Sequence, residues 1–230
     1  MKYLRPLVYG IDVSLAVAQL DGLKYLGYWN EYKLRTGYGD SPHKVDDIWV
    51  RYRAWEEWLG IKSAHQNQPF LVGETVGDVT RLDRPPYNEA LAVAQFVGEE
   101  HESVWYPAAY QLTHLCSLIF DLMHLYRVER LGGVLITRIP PGGKVLPHID
   151  GGWHASYYEK IALQLKSAPK QGFCFADGSF ECEPGTAYAF DNSHEHWVLN
   201  DSPVERITAI ICVRRDQRLR PLWEENRSAT

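Results

Sequence analysis

The stretch that decides the fold runs VLITRI (134–139), KVLPHID (144–150), IALQLK (161–166), GFCFADGSFECEPG (172–185), TAYAF (186–190), HEHWVL (194–199) and ERITAIICV (205–213). Short apolar runs rich in β-branched and aromatic residues alternate with turn signals. Pro140-Pro141-Gly142-Gly143 follows the first run and Asn200-Asp201-Ser202-Pro203 precedes the last. Strand-like runs spaced by roughly 8–12 residues are the pattern of an all-β sandwich or barrel. Asp177-Gly178 adds a hairpin signal inside the fourth run. The expected fold is mainly β with flanking helices, a double-stranded β-helix of the jelly-roll, cupin-like kind.

Upstream the pattern changes. Residues 3–9 suggest a short strand. Residues 12–22 suggest a helix with apolar Val13, Leu15, Ala16 and Leu20 and a candidate cap at Asp12. A loop-like stretch from 30 to 44 leads into a strand candidate, Asp47 to Arg53. Arg84-Pro85-Pro86 breaks the chain, and Leu112, Leu115, Leu118, Ile119, Leu122 and Leu125 then trace the apolar stripe of a helix over 108–125. No linker separates these parts. The reading is one domain over 1–230, with helices and additional strands in 1–127, a jelly-roll core in 128–215 and a tail in 216–230.

Bulk properties narrow the class. The chain has 230 residues, 45% hydrophobic and 23% charged, which is ordinary for a globular protein with a real core. A net charge of −5 gives no basic excess, so nucleic acid is not expected as an obligatory partner. None of Cys116, Cys174, Cys182 and Cys212 forms a CxxC pair, which removes the zinc-ribbon and thioredoxin readings. Cys174 and Cys182 flank a turn and invite a hairpin disulfide, but reduced thiols are the expectation. Asp12 interrupts the N-terminal apolar stretch, so neither a signal peptide nor a membrane span is expected. The anticipated location is cytoplasmic.

The chemistry concentrates between Thr137 and Arg206. On a strand alternate side chains share a face, so in Pro147-His148-Ile149-Asp150 the imidazole of His148 and the carboxylate of Asp150 point together. A second histidine cluster, Ser193-His194-Glu195-His196, starts another run and offers a third ligand. Two histidines and one carboxylate form the facial set that suits non-haem Fe(II) with open positions. His-X-Asp by itself is a common pattern, and an ordinary turn pair is its bland alternative. His194 and His154 compete as ligands, with His196 better spaced to Arg206 and His194 then an outer-layer group. If the 200–203 turn joins two antiparallel strands, His196 and Arg206 come out opposite each other. Arg206 lies in an apolar strand and needs an anion there. A carboxylate gripped by its fork is one partner, and a structural ion pair with Glu205, Asp191 or Asp201 is the other.

Three stretches, IPPGGKVLPHID, GTAYAFDNSHEHWVLNDS and ERITAIICV, resemble the aspartyl/asparaginyl β-hydroxylase family of 2-oxoglutarate oxygenases, which includes free proline hydroxylases. The resemblance spans about 128–214. It implies Fe(II) held by His148, Asp150 and His196, with 2-oxoglutarate as co-substrate and O2 as oxidant. It further implies that Arg206 and Thr137 hold the far carboxylate and that Lys160 approaches the keto-acid end, with Arg138 nearby in sequence. Asp150 sets the chain apart from animal aspartyl hydroxylases, whose iron site lacks the carboxylate, and aligns it with the proline-hydroxylase branch.

The implied function is hydroxylation of an unactivated C–H on an amino acid or on a protein or peptide side chain, with release of succinate and CO2. Gly151-Gly152-Trp153 reads as a flexible loop at the site mouth. Substrate contacts are expected from Trp153, His154, Tyr157, Tyr158 and His194 at the mouth, with His43, Trp49 and Arg51 reaching in from the N-terminal half. Trp49 leans toward core. Two competing readings are a cupin-type metal protein that does not use 2-oxoglutarate and a non-catalytic binding module on the same scaffold. Oligomeric state is left open.

Overall fold

A computed structural model describes residues 1–26, 29, 45–53 and 103–224. His43 and the Arg84-Pro85-Pro86 break lie outside them, as does the whole of the 30–44 stretch.

Eleven strands form two sheets among the described residues. The larger sheet runs β1–β9–β6–β11–β4–β2–β3 and the smaller β5–β10–β7–β8. The strands are β1 (Leu4–Val8), β2 (Asp46–Arg53), β3 (Ser103–Trp105), β4 (Arg130–Ile139), β5 (Lys144–His148), β6 (Glu159–Lys166), β7 (Gln171–Phe175), β8 (Gly178–Glu181), β9 (Ala187–Phe190), β10 (His196–Asn200) and β11 (Arg206–Arg214). From β4 onward successive strands step between the sheets, with the β7–β8 hairpin as the one consecutive pair in the same sheet. That stepping is the double-stranded β-helix. The strands from the N-terminal half extend the larger sheet at both edges: β1 pairs with β9, and β2 pairs with β4.

Period-two alternation explains the two cores. On β11, Ile207, Ala209, Ile211 and Val213 face outward into a cluster with Ile161, Leu163, Val134 and Ile136. The helices α1 (Ser14–Gly22) and α3 (Thr113–Leu125) and the short α2 (Pro107–Gln111) cover that face through Leu20, Leu115, Ile119 and Ala108. Burying each leucine or isoleucine of this set contributes roughly 1.5–3 kcal/mol. The inner face carries Ile139, Ala162, Tyr188, Phe190 and Ile210, packed on Phe173, Phe175 and Val198 of the smaller sheet.

Several local expectations change. The helix over 108–125 is two helices interrupted at Leu112. Asp12 accepts from the Ser14 amide at 3.0 Å, while Val13 holds the cap position of α1. Gly151-Gly152-Trp153 opens a helix, α4 (Gly152–Tyr157), rather than a loop. The hairpin closes with Phe175 opposite Gly178, so Ala176-Asp177 are its turn residues. Cys174 faces Ser179 across that hairpin and Cys182 donates to Gln164, so no disulfide joins them. The segment read as a tail is tied down through its described part: Leu222 is buried and its amide donates to Glu159 at 2.6 Å.

The 200–203 turn is not a hairpin. β10 pairs with β5 and β7, whereas β11 pairs with β4 and β6, so the chain crosses here from one sheet to the other. The buried Asn200 side chain makes the crossing by donating to the carbonyls of Ile139, Pro140 and Val204. Its oxygen receives the amide and hydroxyl of Ser202. His196 therefore stands opposite His148 and Phe175, not opposite Arg206.

Candidate metal centre

His148 ends β5, His196 begins β10, and the two are register partners. Asp150 lies two residues beyond the end of β5. It is held there by its amide, which donates to the Asn192 carbonyl at 3.1 Å. One ligand atom from each of His148, Asp150 and His196 lies within 4.8 Å of the other two. The histidine rings stand 4.4 Å apart, and His148 Nε2 is 3.5 Å from Asp150 Oδ1.

The hydrogen bonds behind the rings fix which atoms face the centre. His148 Nδ1 lies 2.8 Å from the Leu146 carbonyl, and His196 Nδ1 lies 2.8 Å from the His194 carbonyl. A carbonyl oxygen only accepts, so each Nδ1 carries the proton, and in the neutral ring the lone pair is then on Nε2. Asn192 Nδ2 donates to Asp150 Oδ2 at 3.3 Å, leaving Oδ1 turned toward His148. Two oriented imidazoles and one oriented carboxylate, with their outer atoms engaged, are what a divalent transition metal requires. The donor set fits Fe(II). Phe173, Phe175 and Phe190 surround the His196 ring at 5.5–5.9 Å between centroids and keep that ligand in an apolar wall.

Arg206 heads the inner row of β11. It is 3% exposed and donates to Thr208 Oγ1 at 2.7 Å and to the Tyr188 hydroxyl at 3.1 Å. The ion-pair alternative fails: Glu205 engages Lys24 and Lys166, Asp191 engages Ser193 and His194, and no carboxylate pairs with Arg206 among the described residues. Thr137 is buried opposite Thr208 and donates to its carbonyl at 3.3 Å. The guanidinium leaves its mark on its neighbours. Burial pushes the Tyr188 hydroxyl up to about 12, with the nearby positive charge of Arg206 pulling the other way. Burial likewise pushes the Cys182 thiol up to about 11 against a weaker pull from Arg206.

A cavity of about 260 Å³ opens beside Asp150, walled by Trp49, Leu135, His154, Lys160, Ile210 and Cys212 among others. Trp49 is both core and wall: it is buried, stacks on Tyr106 at 5.7 Å and lines the cavity. Lys160 is buried in the same wall. Arg138 instead points away and pairs with Asp46.

A family model described as Aspartyl/Asparaginyl beta-hydroxylase matches residues 99–216, just over half of the chain. The chain belongs to the aspartyl/asparaginyl β-hydroxylase family. No curated protein matches it significantly. Solved structures agree on the fold. An oxidoreductase of the 2OG-Fe(II) oxygenase family from Burkholderia pseudomallei superposes with a TM-score of 0.50 at 14% identity, covering 93% of this chain and 84% of that one. A Pseudomonas putida prolyl-4-hydroxylase superposes with a TM-score of 0.50 at 13% identity, covering 94% of each.

Within this β-hydroxylase fold several anticipated substrate residues stand elsewhere. Tyr157 and Tyr158 line a different cavity, with Tyr158 2% exposed and packed against Gly132. Tyr157 lies under the Arg214 guanidinium and accepts from Arg130. Arg51 stacks on Trp105 and donates to the Leu131 carbonyl, because the bulge between Trp49 and Arg51 turns it from the inner face. His194 stacks on Tyr3 at 3.8 Å and engages Asp191 at 2.8 Å, away from the cavity, while its backbone carbonyl accepts from the His196 ring. Trp153 falls in α4. Thr208, Tyr188, Gln164, Asn192 and Cys212 were not anticipated. Counting in twos from Arg206 picks out Thr208 and Cys212, and the same alternation in TAYAF picks out Tyr188. No local pattern marks Asn192.

Proposed function

We propose that the chain is an Fe(II)- and 2-oxoglutarate-dependent dioxygenase that hydroxylates an unactivated C–H of an amino acid or of a protein or peptide side chain, releasing succinate and CO2. The observation that carries this reading is the pair of Nδ1-to-carbonyl bonds that turn the Nε2 lone pairs of His148 and His196 toward Asp150. In this reading His148, Asp150 and His196 hold the iron. The Arg206 fork and the Thr137 hydroxyl hold the far carboxylate of 2-oxoglutarate, and Lys160 stands at its keto-acid end. Bound there, iron and the keto acid supply an oxidation in which one oxygen atom enters the substrate and the other enters succinate.

The protein's own groups do the rest. Asn192 keeps the Asp150 carboxylate aimed inward, and the phenylalanine wall keeps water from His196. The cavity beside Asp150 admits a group of about the size of one amino-acid side chain or a free amino acid, with Trp49, Leu135 and Ile210 as its apolar wall and His154 as a polar contact. Four free thiols suit a reducing compartment, the cytoplasm.

Anaerobic addition of 2-oxoglutarate to the Fe(II)-loaded protein should raise a visible charge-transfer band, and admission of air with amino-acid and peptide panels should yield succinate. Absence of the band points to a metal protein of cupin type that does not use 2-oxoglutarate. Absence of metal binding points to a non-catalytic module.

A further inference from the structure

Lys160 on β6 and Cys212 on β11 are direct register partners on the inner face of the larger sheet. Lys160 Nζ lies 3.0 Å from Cys212 Sγ. The two residues are 8% and 6% exposed, and both line the cavity beside Asp150. Neighbouring strands place this contact, so it does not depend on two mobile surface chains meeting. The thiol is not in a disulfide. A nucleophilic nitrogen and an oxidisable sulfur thus face each other across a gap of about one bridging atom, in a cavity that a small oxidant can enter.

We propose that Lys160 and Cys212 form a covalent modification site, at which dioxygen or hydrogen peroxide installs a single oxygen atom as an N–O–S bridge between them. The amine and thiol carry three hydrogens between them, whichever atom holds each. With dioxygen the O–O bond, one N–H and the S–H break. One oxygen forms the N–O and O–S bonds, and the other leaves as water with two hydrogens. Sulfur gives two electrons and nitrogen gives two, matching the four that dioxygen takes. With hydrogen peroxide two molecules are consumed and three waters leave. Direct condensation of oxidised sulfur with a nitrogen gives an S–N bond without oxygen, whereas the 3.0 Å between Nζ and Sγ leaves room for one intervening oxygen atom.

The bridge removes the Lys160 ammonium from the cavity. Its consequence for co-substrate binding rests on the proposed function, whereas the bridge itself does not.

The experiment uses the full chain, stripped of metal with a chelator, prepared under reductant and then exposed to air-saturated buffer or to peroxide. Intact mass should show a species that gains one oxygen and loses two hydrogens. Peptide mapping should join the segment carrying Lys160 to that carrying Cys212, and dithiothreitol should reverse it. Cys212→Ser and Lys160→Arg should abolish the species while circular dichroism stays that of the parent; Cys212→Ala serves if the serine variant does not fold. Oxygen gained at Cys212 without hydrogen loss, hydrogen loss without oxygen, no change, or persistence in either variant would overturn the bridge. Calorimetry with Mn(II) and 2-oxoglutarate should then show at least tenfold weaker binding to the bridged form, restored by dithiothreitol. A bridge with unchanged affinity keeps the modification and removes Lys160 from the co-substrate site.

Discussion

Replacing Arg206 by alanine tests the co-substrate assignment most directly. The guanidinium is 3% exposed, points into the interior and touches the hydroxyls of Thr208 and Tyr188 but no carboxylate among the described residues. In the proposed complex the far carboxylate of 2-oxoglutarate is its ion-pair partner. Removing one member of a buried ion pair costs about 3–5 kcal/mol, because the other charge stays desolvated. At about 1.4 kcal/mol per decade, 2-oxoglutarate affinity should fall by roughly two to three and a half decades. The metal centre does not use Arg206, so Mn(II) affinity should change less than threefold. Titration calorimetry with Mn(II) first and 2-oxoglutarate second reads both quantities on one sample. Co-substrate affinity within threefold of the parent would refute the assignment. So would loss of both ligands together, which would mean that Arg206 supports the fold. Arg206→Lys should recover part of the loss, since a point charge replaces the fork but not its second hydrogen bond.

Asn192→Ala should leave the fold intact yet weaken metal binding about 10- to 100-fold in a competitive chelator titration, because Asp150 Oδ2 loses its donor. Gly185→Ala should destabilise sharply. Gly185 has φ +80°, and a Cβ there would come within 2.2 Å of the Ile11 carbonyl oxygen, so the denaturation midpoint should drop by an amount equivalent to more than about 2 kcal/mol. Alkali should weaken the fold through Tyr188 and Cys182. Both are acids held neutral by burial, with values raised to about 12 and about 11. Their contribution is fully present below the unfolded values of 10.0 and 9.0 and is lost as pH rises through the folded ones. The thermal midpoint of Tyr188→Phe, followed from pH 9 to 12, should fall less steeply than that of the parent.

The two-residue alternation made much of this site readable. Strand runs, the two ligand clusters and Arg206 follow from local pattern, because a strand face is written into every second residue. Longer-range pairing is not. The Asn200-Asp201-Ser202-Pro203 turn looks like a hairpin, and only the three carbonyls gathered by Asn200 show that it is a crossing between sheets. Arg51 departs from the alternation for a related reason: one bulge in β2 reverses the face of every residue after it. Gly151-Gly152 suggests a loop, yet the six residues Gly152–Tyr157 close a helical turn whose last member, Tyr157, is fixed by Arg130 and Arg214. Asn192 was invisible because its partner, Asp150, is 42 residues away in the chain.

The division between the sheets has a chemical consequence. All three candidate ligands come from the smaller sheet and its extension, β5 with Asp150 and β10. The cationic side chains, Arg206 and Lys160, come from the larger sheet. A molecule that meets both must bridge the space between the sheets, and that space is bordered by the buried Phe173, Phe175, Tyr188 and Phe190. In such surroundings a positive charge is little screened. The Arg206 charge is felt at Tyr188 on the larger sheet and at Cys174 on the smaller, and at Cys182 beyond β8. A field that reaches both sheets selects for an anion between them. In the proposed complex a dicarboxylate answers it best, with one end at the arginine and the other free to reach the metal.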